Sequence, residues 1–277
     1  MEPHPKRKRR FGGRGMAEME IRVLGCHGSQ LPGFGFTGFL IDGRTLMDAG
    51  AVTSVLTREE QSRVDHVLIS HAHLDHIREL ASLADNLCYN RINHPLTVIS
   101  PPQVIETLKR HIFNGAIWPD FSILPSAEKP VLKFEPIRTG EKMCVGHLRV
   151  TAIPVHHCVE TVAYVIESGQ DSSTTTAVFV GDTGPTEEIW RVAGKGENVR
   201  AIFVETSLPG EMADVAELTG HLTPAGLAHE LEKLGPLNPQ IYLYHMKIQY
   251  REEIRREIDR MGDSHVHILR DGEVIRI

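Results

Sequence analysis

The sequence predicts an α/β fold, a large sheet sandwich flanked by helices. Short apolar runs bounded by turn residues recur from residue 20 to the end, and they outnumber the stretches with helical periodicity. No linker, repeat or low-complexity tract separates them, so residues 20–277 read as one domain. Strand after strand also ends in a histidine or an acid, which gathers polar chemistry at the ends of apolar elements.

Strands are expected at 21–24 (IRVL), 36–41 (FTGFLI), 45–48, 66–70 (HVLIS), 96–100 (LTVIS), 148–155, 162–167, 176–180, 200–204 (RAIFV), 240–244 (QIYLY), 265–269 and 273–277. Each is a short run rich in β-branched or aromatic residues. The last two flank "RDGEV" and read as a hairpin. Helices are expected at 77–87, 102–112, 186–193, 224–234 and 251–261. The fourth has a clear start, with Thr223 as N-cap and Pro224 in the first helical position.

Composition narrows the class. With 41% hydrophobic and 24% charged residues the chain buries a core without staples. Cys26, Cys88, Cys144 and Cys158 are too far apart for a disulfide framework or a Cys-x-x-Cys metal knuckle. No run approaches the ~20 apolar residues of a membrane span. No apolar signal core follows the basic run "PKRKRR" at 5–10, so the chain reads as cytoplasmic with no membrane partner. That run and the Gly-rich "FGGRG" behind it read as a disordered leader over residues 1–19.

The chemistry concentrates in "HAHLDH". His71, His73, Asp75 and His76 fall within six residues at the end of the "HVLIS" strand. His71 and His73 alternate along an extended segment, while Asp75 and His76 open the next helix. Imidazole nitrogens and a carboxylate suit zinc, manganese or iron, and four such groups exceed what one ion needs from one loop. A dinuclear site needs more ligands from other strand ends. "TAIPVHH" offers His157, with His156 facing the other way as a structural residue; "AVFVGDTG" offers Asp182, set between Gly181 and Gly184, whose two oxygens suit a bridge; "IYLYH" offers His245. The other strand and helix histidines, His66, His94, His111, His147, His229, His265 and His267, read as structural. Asp48 in "LMDAG" is placed to orient a ligand histidine. Two more strand-end groups, Glu205 of "AIFVETS" and His221 of "ELTGHLTP", form a candidate acid pair, because a carboxylate bonded to an imidazole raises its pKa.

The succession "HAHLDH", "VHH", "GDTG" and a last His245 resembles the metallo-β-lactamase superfamily over residues 20–277. The resemblance implies an αββα four-layer sandwich with the site along one edge of the two sheets. It further implies His71, His73 and His157 on one divalent ion, Asp75, His76 and His245 on the other, and Asp182 bridging. "ETS", "GHLTP" and "YLYHMK" are similar to the phosphodiesterase branch that includes class II cyclic-nucleotide phosphodiesterases and tRNase Z, in which Glu205 and His221 correspond to the proton-donating pair. "FNGAIWPDF" at 113–121, with "SHAHLDHI" and "GDTGP", resembles the cyclic-nucleotide group more closely. "HHCVET" departs from that group's His-Gly turn.

The implied reaction is hydrolysis of 3′,5′-cyclic AMP or cyclic GMP to the 5′-monophosphate. A hydroxide shared by the two ions attacks phosphorus, and His221 protonates the departing 3′-oxygen. The candidate catalytic residues are His221, Glu205 and Asp75. Phe113, Trp118 and Phe121 are aromatic enough to stack on the purine, with packing in the core or at a dimer interface as the alternative. The resemblance also implies a homodimer. RNA is the rival substrate of a tRNA 3′-processing nuclease, disfavoured by a net charge of −6 with no basic arm inside the fold. Cleavage of a lactone, β-lactam or thioester is a second rival, with less need of an acid at His221.

Overall fold

The computed structural model describes residues 18–89, 94–170 and 173–277; the basic run of the expected leader lies outside the described residues. Strands β1 (Glu20–Gly25), β2 (Gly38–Ile41), β3 (Thr45–Met47), β4 (His66–Leu68) and β5 (Leu96–Ser100) lie side by side. A small ribbon, β6 (Pro125–Ser126) and β7 (Lys129–Pro130), leads into β8 (Leu132–Pro136), which extends the sheet past β5. The second sheet runs in order through β9 (Lys142–Val145), β10 (Leu148–Pro154), β11 (Val162–Ser168), β12 (Thr175–Phe179), β13 (Val199–Glu205), β14 (Gln240–Tyr244) and β15 (Val266–Ile268). Finally β16 (Val274–Arg276) returns to the first sheet beside β1.

Strand direction places the site. In the first sheet β3, β4, β5 and β8 are parallel neighbours. In the second, β12, β13 and β14 are parallel, and β10 shares their direction because two antiparallel pairings separate it from β12. The C-terminal ends of β10, β12, β13 and β14 therefore emerge at one edge, carrying His157, Asp182, Glu205 and His245 just beyond or at their ends.

Both inner faces bury apolar side chains against each other, among them Ile21, Val23, Phe39, Leu68, Val150 and Phe179. Phe203 stacks on Phe179 with ring centroids 4.4 Å apart and meets Phe39 edge-on at 5.5 Å. Phe203→Ala is expected to cost about 3–5 kcal/mol, read as a lowered midpoint in urea denaturation, because neighbouring rings cannot collapse into the void.

Helices cover both outer faces. On the first sheet, α1 (Arg58–Gln61) and α2 (Leu74–Ile77) precede α3 (Leu80–Cys88) and α4 (Pro102–His111), which press Leu83, Leu87, Val104 and Leu108 onto it. On the second, α5 (Glu188–Ala193), α6 (Ala213–Thr219), α7 (Pro224–Glu232) and α8 (Arg251–Met261) follow, with Trp190, Leu227, Ile254 and Ile258 as the buried contacts. The result is the expected helix–sheet–sheet–helix sandwich. Thr223 caps α7 as expected, its hydroxyl accepting from Gly226 N at 3.2 Å.

Two expectations need correction. The final two strands do not form a hairpin: β15 pairs with β14 and β16 with β1, in different sheets. The turn that separates them includes Gly272 at φ +83°, where glycine alone is unstrained. The single helix at 77–87 is two helices, because the Glu79 carboxylate turns away to accept from Val52 N at 2.6 Å and Ser54 N at 3.0 Å. The elements α1, α6, β6, β7, β8 and β9 had no sequence expectation; they are short, and "LKFEP" and "KMCV", each opened or interrupted by charged residues, form the edge strands β8 and β9.

Candidate metal centre

The chain leaves β4 and passes through Ser70 to His71 and His73, with His73 in the N-cap position of α2. That extended-to-helical change throws His71 and His73 forward and brings Asp75 and His76 in from the first turn. His71, His76, Asp182 and His245 are at most 1% exposed. Ligand-type atoms of His71, His73, His157 and Asp182 fall within 4.8 Å of one another, and so do those of Asp75, His76 and His245. Asp182 lies between the groups: its Oδ2 is 3.7 Å from His71 Nε2, 3.3 Å from His76 Nε2 and 3.2 Å from His245 Nε2. The His245 Nε2 also reaches Asp75 Oδ2 at 3.1 Å. His156 is exposed and lends only its carbonyl, which accepts from Gly184 N at 2.7 Å.

Neighbouring groups fix which imidazole nitrogen faces inward. Ser70 Oγ donates to Asp48, so at 3.0 Å from His71 Nδ1 it must accept from the ring. His76 Nδ1 donates to Asp48 Oδ2 at 2.7 Å, and His157 Nδ1 to the Gly220 carbonyl at 2.8 Å. For His245, Nδ1 donates to Ser207 Oγ at 2.9 Å, whose own proton goes to Glu205 Oε2 at 2.7 Å. In each ring a bonded Nδ1–H leaves the Nε2 lone pair for the centre, the tautomer a metal ligand needs. Asp48 thus occupies the orienting position expected of it. Asp48→Ala is expected to weaken metal binding by about 10- to 100-fold, measured by competition with a chromogenic chelator.

Ser70, Ser207 and the Gly220 carbonyl had no sequence expectation. Ser207 sits two residues after Glu205, and that period-2 spacing at a strand end is the only signal it carried. A departure from the sequence expectation concerns the purine stack. Phe113 and Phe121 are 1% and 5% exposed in the core beneath the first sheet, with Trp118 packed on them, so neither phenylalanine has a face to offer a base.

The donor set fits divalent cations. Among the described residues, His71 Nε2, His76 Nε2 and both Asp182 carboxylate oxygens are buried without a hydrogen bond. Such atoms are costly unless a ligand takes their lone pairs. Burial pushes the His71, His73 and His157 imidazoles below their ordinary pKa, which favours the neutral, ligating form. Burial would also push His76 down, yet Asp182 and Asp48 on either side hold it well above its ordinary value. Burial raises the cost of ionising Asp182 and Asp75, but the surrounding histidines outweigh it and hold both below the usual carboxylate range.

Glu205 and His221 meet at the rim. His221 Nδ1 is 2.7 Å from Glu205 Oε1, and the His221 ring lies 5.0 Å from that of His157 and 5.4 Å from that of His245. Burial acts to lower the His221 pKa, but the Glu205 charge and hydrogen bond prevail and raise it. Gly220, at φ +68°, lets this segment lie against the His157 backbone, where a Cβ would stand 3.0 Å from His157 Cα.

A family profile described as the beta-lactamase superfamily domain matches residues 39–246. The chain belongs to the metallo-β-lactamase superfamily. Among its superfamily relatives, a probable 3′,5′-cyclic-nucleotide phosphodiesterase of Yersinia pestis is 27% identical over 224 residues, covering 75% of this chain and 62% of the relative. The 3′,5′-cyclic-nucleotide phosphodiesterase 1 of Saccharomyces cerevisiae is 27% identical over 205 residues, covering 68% of this chain and 55% of the relative. The match therefore spans little more than half the length of each. The crystal structure of unliganded yeast PDE1 has the same metallo-β-lactamase fold, with a TM-score of 0.81 at 19% identity over 95% of this chain and 100% of that one. Ribonuclease BN of Escherichia coli is 29% identical over 128 residues, covering 45% of this chain and 39% of the relative. Among the described residues of this superfamily member, no helix is long and apolar enough to cross a membrane.

Proposed function

We propose that this chain is a metal-dependent phosphodiesterase that hydrolyses 3′,5′-cyclic nucleotides to 5′-monophosphates. The observation that carries the reading is the Glu205–His221 pair at the rim of a histidine and aspartate cluster. A phosphodiester with an alkoxide leaving group needs a proton donor at this place, whereas a thioester, which expels a thiolate, has less need of one. The names of the Yersinia pestis and yeast relatives point to the same substrate class.

In this reading His71, His73 and His157 would hold one divalent ion and Asp75, His76 and His245 a second, with Asp182 placed between the two groups. Zinc, manganese and iron all suit these nitrogen and oxygen donors. Ions held there would neutralise phosphate charge and lower the pKa of water enough to supply a nucleophile at neutral pH. The protein does the rest. Ser70, Asp48, Ser207 and Gly220 keep the ligand rings aimed at the centre. Glu205 accepts from His221 Nδ1, which leaves a proton on Nε2 to pass to the departing 3′-oxygen.

The test is hydrolysis of cyclic AMP and cyclic GMP beside bis-p-nitrophenyl phosphate and a precursor tRNA, with manganese or zinc supplied. Conversion of the cyclic nucleotides to 5′-monophosphates with the RNA intact is expected. Cleavage of the RNA alone would replace this reading with the nuclease one, which the ribonuclease BN similarity favours.

A further inference from the structure

A cavity of about 290 Å³ opens beside His73. Three segments wall it. Ala72 and His73 come from the ligand loop, Gln103, Val104 and Thr107 from the first turns of α4, and Val159 and Glu160 from the turn after His157. Its walls are mainly aliphatic, and Val159 is 41% exposed at its mouth. The volume is at the lower end for ligand pockets, enough for one heteroaromatic ring system and too small for a whole nucleotide.

We propose that this cavity is the nucleobase slot of the site and that Glu160 makes it select guanine. The inference rests on the phosphodiesterase reading. A nucleotide with its phosphate at the centre beside His73 would have its base one ribose away, and this cavity opens beside that same histidine. Ala72, Val104 and Val159 supply apolar contact for the faces of a base. A carboxylate only accepts hydrogen bonds. Guanine presents adjacent N1–H and N2–H donors on its Watson–Crick edge, which the two oxygens of Glu160 can take together. Adenine presents a donor beside an acceptor there, and the acceptor is repelled. The slot therefore takes over the role expected of the buried Phe113–Phe121 segment.

The experiment is isothermal titration of the zinc-loaded protein with 5′-GMP, 5′-AMP and ribose 5-phosphate. It compares wild type with Thr107→Trp and Glu160→Gln, both at exposed positions that tolerate change in the folded chain. Expected is 5′-GMP binding about 5- to 100-fold tighter than 5′-AMP, the discrimination of one bidentate base contact. Thr107→Trp should fill the slot and leave 5′-GMP no tighter than ribose 5-phosphate. Glu160→Gln should abolish the preference for 5′-GMP over 5′-AMP. The proposal is overturned if wild type binds 5′-GMP no tighter than ribose 5-phosphate, if Thr107→Trp leaves the purines unaffected, or if Glu160→Gln keeps the preference. Base-dependent binding without hydrolysis of either cyclic nucleotide would sink the phosphodiesterase reading and keep the slot. Hydrolysis without base-dependent binding would do the reverse.

Discussion

Asp182→Ala is expected to empty the metal centre and remove nearly all turnover. Its carboxylate stands within 3.7 Å of His71, His76 and His245, which belong to both ligand groups, and neither of its oxygens has a hydrogen bond to lose. Alanine would leave histidines facing one another across a buried space with Asp75 as the remaining carboxylate among the candidate ligands of two divalent ions. It would also remove one of the two carboxylates that hold the His76 pKa above its ordinary value, leaving Asp48 as the other. Elemental analysis of the purified protein checks the metals, and hydrolysis of bis-p-nitrophenyl phosphate checks the chemistry. Retention of two ions per chain with full turnover would refute the bridging role. Asp182→Asn keeps the volume, and its parallel loss of metal would assign the effect to charge rather than packing.

His221→Ala is expected to bind metal normally and to slow cyclic-nucleotide hydrolysis by roughly 10²- to 10⁴-fold, the range of general acid catalysis. The loss should largely vanish for a diester that expels p-nitrophenolate, which needs no proton; an equal loss on both substrates would remove the acid role. The pH profile gives an independent reading. The pair with Glu205 raises the pKa of His221, so its acid form persists above the ordinary histidine range and the rate falls only as pH climbs through the raised value. Glu205→Gln takes away the charge that does this. The alkaline limb of kcat/KM should then move to lower pH, and an unmoved limb would show that another group titrates there.

Most of the histidine and aspartate cluster was legible because its signals are local. Histidines alternating in "HAHLDH", and an acid or imidazole directly after an apolar strand, survive any uncertainty in how strands are ordered. Asp48 was legible for the same reason, as an acid at the end of β3. The nitrogens that face the centre were not, because each is chosen by a partner distant in sequence: Asp48 lies 28 residues from His76, and Gly220 lies 63 from His157. Ser207 is a similar case, an ordinary serine until β13 and β14 bring it against the His245 ring.

Apolar residues were read less well. "FNGAIWPDF" shows aromatic rings but not which side of the sheet receives them, and the outer face of the first sheet took Phe113 and Phe121 into its core. The last two strands show a turn between extended runs but not that β15 and β16 join different sheets. By itself the sequence determined the strand-rich sandwich, the residue types at the strand ends and their chemistry, since burial periodicity and ligand identity are written in short segments. Only the tertiary structure decided which ends converge, which ring nitrogen each histidine presents and where a cavity opens beside His73, because pairing and packing depend on residues far apart in the chain.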